Sequence, residues 1–518
     1  MKHVLLSVLL TAAQPTLSLN QEIYPEAELK RIIAQLLVVP VIPSRDEPHR
    51  STETYQSNYC TRHISELIQS HGISTLIILG TCTADQQRAS LEQLSSASSI
   101  PLIIAQDLEW GPGMRVTDCE SFPKAMTLGA TNNLELIKEV GYAIGRGTRL
   151  LGVDINFAPV VDLNTNPNNP IIGMRSFGDD PERVARQAKA FIDGLHEAGV
   201  ICCIKHFPGH GDTHTDSHSS LPHLDHSLER LESIELYPFK QLLTSTDLIM
   251  IGHLAIPALD QSETPASLSH TIVTDLLKHR LGYTGCICSD ALDMKAVSER
   301  FDQPGIVEQA AMISGNDLIV CPCHVPEAIE QIYQAVRSGQ LGINELMSKY
   351  EQLQRLRTIK ATRPSLNQLP PVDHTELMSR AFQAALTPYG ISVEQLNSYH
   401  SFTIIAPRSC MSLVPSDYPA RCLEEIAPED MDRSCCYIFL LTQSSHEMIP
   451  ELSVYSAECE KRGIASLVLL AGSPYLLKQL PQQIRALIAY EEHPLAIHVA
   501  LKSLTDRLPV TGSLPVQL

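Results

Sequence analysis

The sequence predicts an α/β protein: a (β/α)₈ barrel followed by a smaller C-terminal αβ domain with a mostly parallel sheet. Three observations predict it. Eight short apolar runs, mostly rich in Ile, Val and Leu, alternate with helix-like stretches between residues 35 and 320, as expected for strands covered on both faces. Asp107, His206, His253 and Asp290 stand at the carboxyl ends of their runs, the end at which barrels carry catalytic groups. After residue 320 the rhythm changes, and a Pro-rich stretch separates a second group of runs. On pattern alone a doubly wound open sheet is the alternative; the one-sided placement of the polar residues decides for the barrel.

In chain order the runs are QLLVVPV (35–41), STLIILG (74–80), PLIIAQD (101–107) and DINFAPV (154–160), then ICCIKHF (201–207), DLIMIGH (247–253), GCICSD (285–290) and DLIV (317–320). PERVARQAKAFIDGLHEAG (181–199) reads as a helix, with Pro181 at its start and Gly199 at its end. SLERLESIELYPFKQLL (227–243) and residues 326–360 read the same way. The boundaries follow: residues 1–20 a signal peptide or N-terminal extension, 21–365 the barrel, 366–518 the second domain, with ATRPSLNQLPPVD (361–373) as the linker. A helix-like HTELMSRAFQAAL opens the second domain. Its strand candidates are 401–407, 435–443, 464–472 and 486–492, with no comparable polar cluster.

A chain of 518 residues is too long for one ordinary core. A formal net charge of −19, with no run of basic residues to reverse it locally, argues against a polyanionic partner such as nucleic acid or an anionic membrane surface. The 14 cysteines include no CxxC pair; Cys202, Cys203, Cys286 and Cys288 lie inside apolar runs and read as reduced core residues. Cys321-Pro322-Cys323 is the nearest thing to a ligand pair. At the N-terminus, Lys2 and His3 precede VLLSVLLTAA and then QPTLSLN. That is the order of a secretory signal, too short to span a bilayer. The expectation is a periplasmic or secreted protein, with a cytoplasmic one as the close alternative because of the many thiols.

Residues 205–222, KHFPGHGDTHTDSHSSLP, leave the fifth run as a histidine-rich loop. Pro208, Gly209 and Gly211 forbid a continuing strand or helix. Clustered His and Asp allow three readings: a solvated loop, a metal site, or general acid–base work by His218 with Asp216 beside it. Spacing alone leaves all three open. Further motifs are QDLEWGPGMR (106–115), NPIIGMRSFGDDPE (169–182) and CSDALDM (288–294). An acid at a strand end can instead cap the next helix.

Taken together, KHFPGH…DSH…P, DLEWG…MR, NP…RSFG and SDALDM resemble glycoside hydrolase family 3 over roughly residues 25–365, and within it the bacterial β-N-acetylglucosaminidase branch. The resemblance implies Asp290 as nucleophile of a retaining mechanism and His218 as acid/base oriented by Asp216. It implies that Asp107, Arg175, Lys205 and His206 bind the sugar hydroxyls and that Arg115 braces the site. The implied substrate is a GlcNAc-terminated peptidoglycan fragment, with no metal or cofactor. It leaves oligomeric state open. One departure stands out: many members read D-x-E-G-G-R at the third strand, whereas here Trp110 replaces a Gly and Arg115 comes later. Trp110 is the sole tryptophan, and it suits either sugar stacking or core filling. The competing expectations are a β-glucosidase-like relative, a metal-dependent barrel hydrolase, and a catalytically silent sugar-binding protein.

Overall fold

The computed structural model describes residues 24–45, 59–215, 221–399 and 401–518. The N-terminal residues 1–20 and the pair Asp216 and His218 lie outside the described residues.

All eight apolar runs form strands: β1 (Leu37–Val41), β2 (Thr75–Ile78), β3 (Ile103–Gln106), β4 (Ile155–Asn156), β5 (Ile201–Phe207), β6 (Leu248–Ile251), β7 (Cys286–Ser289) and β8 (Ile319–Val320). They pair in parallel in the order β7-β6-β5-β4-β3-β2-β1-β8. A bridge between Cys288 and Leu318 joins the two ends and completes the barrel. β4 and β8 are only two residues long. What holds the short strands in register is a repeated device at the barrel's amino end. Asp154, Asp247 and Asp317, at the starts of β4, β6 and β8, each accept a backbone N–H from the preceding strand: Ile104 at 2.9 Å, Cys202 at 3.0 Å and Ile287 at 2.8 Å. Each Asp also faces a basic side chain, Lys360 and Arg363, His196, and Lys278 respectively. An otherwise unpaired edge donor is thereby satisfied and the carboxylate compensated.

The helix over Pro181–Glu197 is the one predicted, opened by the Asp180 side chain on the Arg183 N–H (2.7 Å) and closed by Gly199 at φ 74°. The stretch 227–243 is not one helix but two, Leu228–Ser233 and Tyr237–Leu242. Pro238 has no N–H to continue the ladder, and Ile234 leaves helical geometry. The stretch 326–360 likewise divides into Val325–Ser338 and Ile343–Thr362, broken at Gly339 and Gly342. All fourteen cysteines are free thiols, and Cys203 and Cys288 meet inside the barrel with sulfurs 4.0 Å apart.

The second sheet comprises β9 (Thr387–Tyr389), β10 (Thr403–Ala406), β11 (Ala420–Cys422), β12 (Tyr437–Thr442), β13 (Ser466–Ala471) and β14 (Ala486–Ile488). Its order is β11-β10-β12-β13-β14-β9, parallel except for the antiparallel edge strand β9. Strands β9 and β11 carry TPY and ARC, too short and too mixed to register as apolar runs. The predicted fold class is the one observed.

The two domains share one apolar core. Phe177 and Phe191 of the barrel and Phe382 and Ile497 of the second domain belong to a single buried cluster. The chain's last residues also return to the barrel. Asp179 donates its N–H to Pro515 (3.1 Å) and accepts the Gln517 N–H (2.6 Å), while Tyr475 donates to the Asn164 carbonyl (2.9 Å). The loop that carries Arg175 is held from both sides in this way. Among the described residues no helix is long and apolar enough to cross a membrane.

Candidate active site

A cavity of about 970 Å³ opens at the carboxyl ends of the barrel strands, with Asp107, Glu109, Arg175, Lys205, His206 and Asp290 on its walls. Its floor is a compact ion network. Lys205, 3 % exposed, reaches Asp107 at 2.7 Å and Glu109 at 2.8 Å. Arg175 forks onto Glu109 through Nη2 (2.7 Å) and Nε (2.9 Å). Burial pushes the Glu109 carboxyl up, but the charges and hydrogen bonds of Arg175 and Lys205 outweigh it and hold the group far below the carboxylate range. Burial pulls the Lys205 ammonium down, and Asp107 and Glu109 more than restore it. Glu109 is therefore a fixed anion whose oxygens are committed to cations, unsuited to donate a proton. Asp107 places one oxygen on Lys205, while its other lies 4.0 Å from Arg115, leaving acceptor capacity toward the cavity. Arg115 sits on the cavity wall rather than behind it.

His206 leaves β5 with its Nδ1 2.7 Å from an oxygen of Asp162, so Nδ1–H donates and Nε2 is the remaining ring nitrogen. Asp162 also accepts the backbone N–H groups of His206 (3.2 Å) and His210 (2.8 Å). Burial raises the Asp162 carboxyl, yet His206 and His210 bring it below its ordinary value. His210 pairs Nδ1 with the Thr213 hydroxyl at 2.8 Å, and its buried Nε2 has no hydrogen-bond partner. Burial first, then repulsion from His206, push it down from 6.5 to about 4.

That shift fixes a pH dependence. His210 stays neutral in the fold while the unfolded chain takes up a proton near its ordinary value, so stability falls as pH drops from about 6.5 towards 4 and levels off below. The full effect is about 3 kcal/mol. Urea unfolding of the wild type should lose stability between pH 7 and pH 5, and His210→Gln should flatten that slope. Equal slopes in the two proteins would contradict the assignment.

Asp290 ends β7. Its N–H bonds the Ile251 carbonyl of β6 (2.9 Å), and one carboxylate oxygen accepts the Ala291 N–H (2.8 Å). Burial raises its carboxyl, but His253, His206, the Ala291 N–H and Lys205 together bring it below its ordinary value, so it is ionised at neutral pH. His253, fully buried, shares a hydrogen bond with the Ser267 hydroxyl at Nδ1 (2.7 Å) and donates from Nε2 to the Ala291 carbonyl (2.9 Å). It braces the turn behind Asp290. Trp110, half-buried, forms part of the cavity wall, with the Lys124 ammonium 5.2 Å from its ring centroid.

The structure thus gathers Asp107, Arg115, Arg175, Lys205, His206 and Asp290 around one cavity; Asp216 and His218 are outside the described residues. The sequence motifs assign no role to Glu109 or Asp162. Glu109 lies in the quoted motif, and Asp162 follows an apolar run just as Asp107 and Asp290 do, two residues beyond the boundary drawn for it. The described histidines of the loop do not converge. His206, His210 and His214 are directed to Asp162, Thr213 and Asn166. Among the described residues the clusters close enough to share an ion include none of these three histidines, and in one of them, Asp212 of the loop with His226 and Glu235, the Arg230 guanidinium already stands between the two carboxylates.

An ionised carboxylate at a strand end, beside cations and acceptors suited to a polyhydroxylated ring, is the equipment of glycosyl transfer. Residues 28–356 match the profile of the Glycosyl hydrolase family 3 N terminal domain, more than half of the chain. The chain belongs to that family. Beta-hexosaminidase A of Pseudoalteromonas piscicida is 34% identical over 330 residues, 57% of this chain and 55% of that protein. Beta-hexosaminidase LpqI of Mycobacterium tuberculosis is 34% identical over 331 residues, 60% of this chain and 78% of that protein. The match therefore spans little more than half of the first relative and most of the second. With these relatives the chain falls among the family's glycoside hydrolases of β-N-acetylhexosaminidase type. The solved family 3 β-N-acetylglucosaminidase from Paenibacillus sp. strain FPU-7 superimposes with a TM-score of 0.76 at 26% identity, over 95% of this chain and 99% of that one. The barrel and the second sheet are thus one shared two-domain fold.

Proposed function

We propose that this protein is a retaining, exo-acting β-N-acetylhexosaminidase that removes terminal β-linked GlcNAc from peptidoglycan fragments. The observation that carries the reading is Asp290: a carboxylate kept ionised at the end of β7, lining the same cavity as Asp107, Lys205 and Arg175. In the first step the Asp290 carboxylate attacks the anomeric carbon while the glycosidic C–O bond breaks, and His218, oriented by Asp216, gives a proton to the leaving oxygen. In the second step His218 takes a proton from water, whose oxygen bonds the anomeric carbon and frees Asp290. Asp107, Lys205, Arg175 and His206 hold the sugar hydroxyls. The names of the two β-hexosaminidase relatives support a hexosaminide substrate, and that of the solved β-N-acetylglucosaminidase supports GlcNAc. The proposed site of action is periplasmic or extracellular, tested by fractionation of cells expressing the full chain.

The test is hydrolysis of 4-nitrophenyl β-N-acetylglucosaminide and of the matching β-glucoside, by the wild type and by His218→Ala, each with and without EDTA. The expected result is turnover of the GlcNAc glycoside, unaffected by EDTA and about 10²–10⁴-fold slower in His218→Ala. Preferential cleavage of the glucoside overturns the sugar assignment, and loss of activity with EDTA overturns the metal-free mechanism.

A further inference from the structure

The cavity wall that carries Trp110 is not held by the barrel alone. Residues 109–124 leave β3 as a compact loop, closed on itself by the Phe122 N–H donating to the Trp110 carbonyl (2.8 Å) and the Gly113 N–H to the Glu120 carbonyl (2.8 Å). The second domain grips this loop at two places. His374, at the start of the helix His374–Ala385, pairs its Nδ1 with Glu120 at 2.5 Å and sets its ring edge-on against Phe122, centroids 5.1 Å apart. Glu491, just beyond β14, is the second. One of its carboxylate oxygens accepts both the Lys124 N–H (2.7 Å) and the Thr127 hydroxyl (2.5 Å), at the start of the barrel helix Ala125–Thr131.

Lys124 is the junction. Its backbone is fixed by Glu491, and its ammonium lies 5.2 Å from the centroid of the Trp110 ring. A cation over an aromatic face orients the ring as well as stabilising it. The ring so oriented borders the same cavity as Glu109, Arg175 and Asp290. The Lys124 side chain makes no capping hydrogen bond to the helix it opens, so it is Glu491 that accepts at this helix start.

We infer that Glu491, in the second domain, is a positioning residue of the sugar cleft: it sets Lys124, and through it the Trp110 ring against which the substrate packs. The second domain is in this respect part of the binding site, although among the described residues the cavity lining comes from the barrel. The inference rests on the glycosidase reading for its substrate, but its geometry stands separately.

Trp110 is the only tryptophan of the chain, so its fluorescence reports this wall alone. The variants are Glu491→Ala, which deletes the acceptor; Glu491→Gln, which keeps a side-chain oxygen in its place; and Lys124→Met, which leaves the backbone N–H on Glu491 but removes the charge over the ring. Glu491→Ala and Lys124→Met should raise KM for 4-nitrophenyl β-N-acetylglucosaminide about tenfold with a much smaller change in kcat. Both should also make Trp110 more accessible to acrylamide, and Glu491→Gln should restore both readouts. Glu491→Ala that is folded, with KM and Trp110 quenching both at the wild-type level, would overturn the inference. So would a loss of kcat at unchanged KM in Lys124→Met. Should the wild type turn over no GlcNAc glycoside, the functional reading fails by itself; unchanged quenching in Glu491→Ala and Lys124→Met then sinks the brace as well, and increased quenching sustains it.

Discussion

Asp290→Asn should fold normally and lose turnover by about 10⁴-fold or more. The amide oxygen keeps the hydrogen bond from the Ala291 N–H, and the backbone tie to Ile251 is untouched. What disappears is the negative charge toward which His253, His206 and Lys205 are arranged. An amide is a poor nucleophile at carbon and forms no stable ester with the sugar. KM should move far less than kcat, because Asp107, Lys205 and Arg175 remain to hold the hydroxyls. Asp290→Ala adds a sharper reading. With the carboxylate removed, azide has room to attack the anomeric carbon as the bond to a nitrophenolate leaving group breaks, so it should restore part of the turnover and yield a glycosyl azide of inverted configuration. Asp290→Asn with more than about a tenth of wild-type turnover would remove Asp290 from the nucleophile role.

Why is Asp290 legible in the amino-acid sequence, and Glu109 and Asp162 not? Barrel strands are buried on both faces and write themselves as unbroken apolar runs, so an acid directly after such a run announces a strand end. Asp107 and Asp290 obey that rule. Asp162 stands two residues past its apolar run and beyond the two-residue strand β4, where the chain still runs parallel to β5 at Val160; its partner His206 comes from that neighbouring strand. Only the fold brings them together. Glu109 reads in sequence as one of two interchangeable carboxylates, and the difference arises from Arg175, 66 residues away, which claims it. The splits at Ile234 and Gly339 have local causes, Pro238 and a paired glycine, that the helical periodicity of the flanking residues masks. Strands β9 and β11 carry no signal, because three-residue edge strands owe their existence to the neighbours they pair with. The second domain's grip on the Trp110 loop is illegible for the same reason: Glu120 with His374 and Lys124 with Glu491 are contacts across more than 250 residues of sequence.

Arg175→Met is expected to be the most destabilising single change in the site, at about 3–5 kcal/mol. The Arg175 side chain is three-quarters shielded and forks onto a Glu109 side chain only 7 % exposed. Removing the guanidinium leaves that carboxylate with Lys205 alone, and Lys205 is already shared with Asp107. Glu109 in the wild type is held below its ordinary value of 4.5, so it contributes stability that is present above that value and lost as pH falls through the folded one. In Arg175→Met the folded value rises, and the deficit relative to wild type should therefore be largest at pH 7 and shrink as pH falls towards 4. Urea unfolding at pH 7 and pH 5 checks the sign. The double variant Arg175→Met/Glu109→Leu removes the stranded charge and should recover most of the stability, yet its KM should remain raised, because the hydroxyl-binding cation is still missing. A single variant as stable as the wild type at pH 7 would show that Lys205 alone compensates Glu109, and would reduce Arg175 to a residue that touches only the sugar.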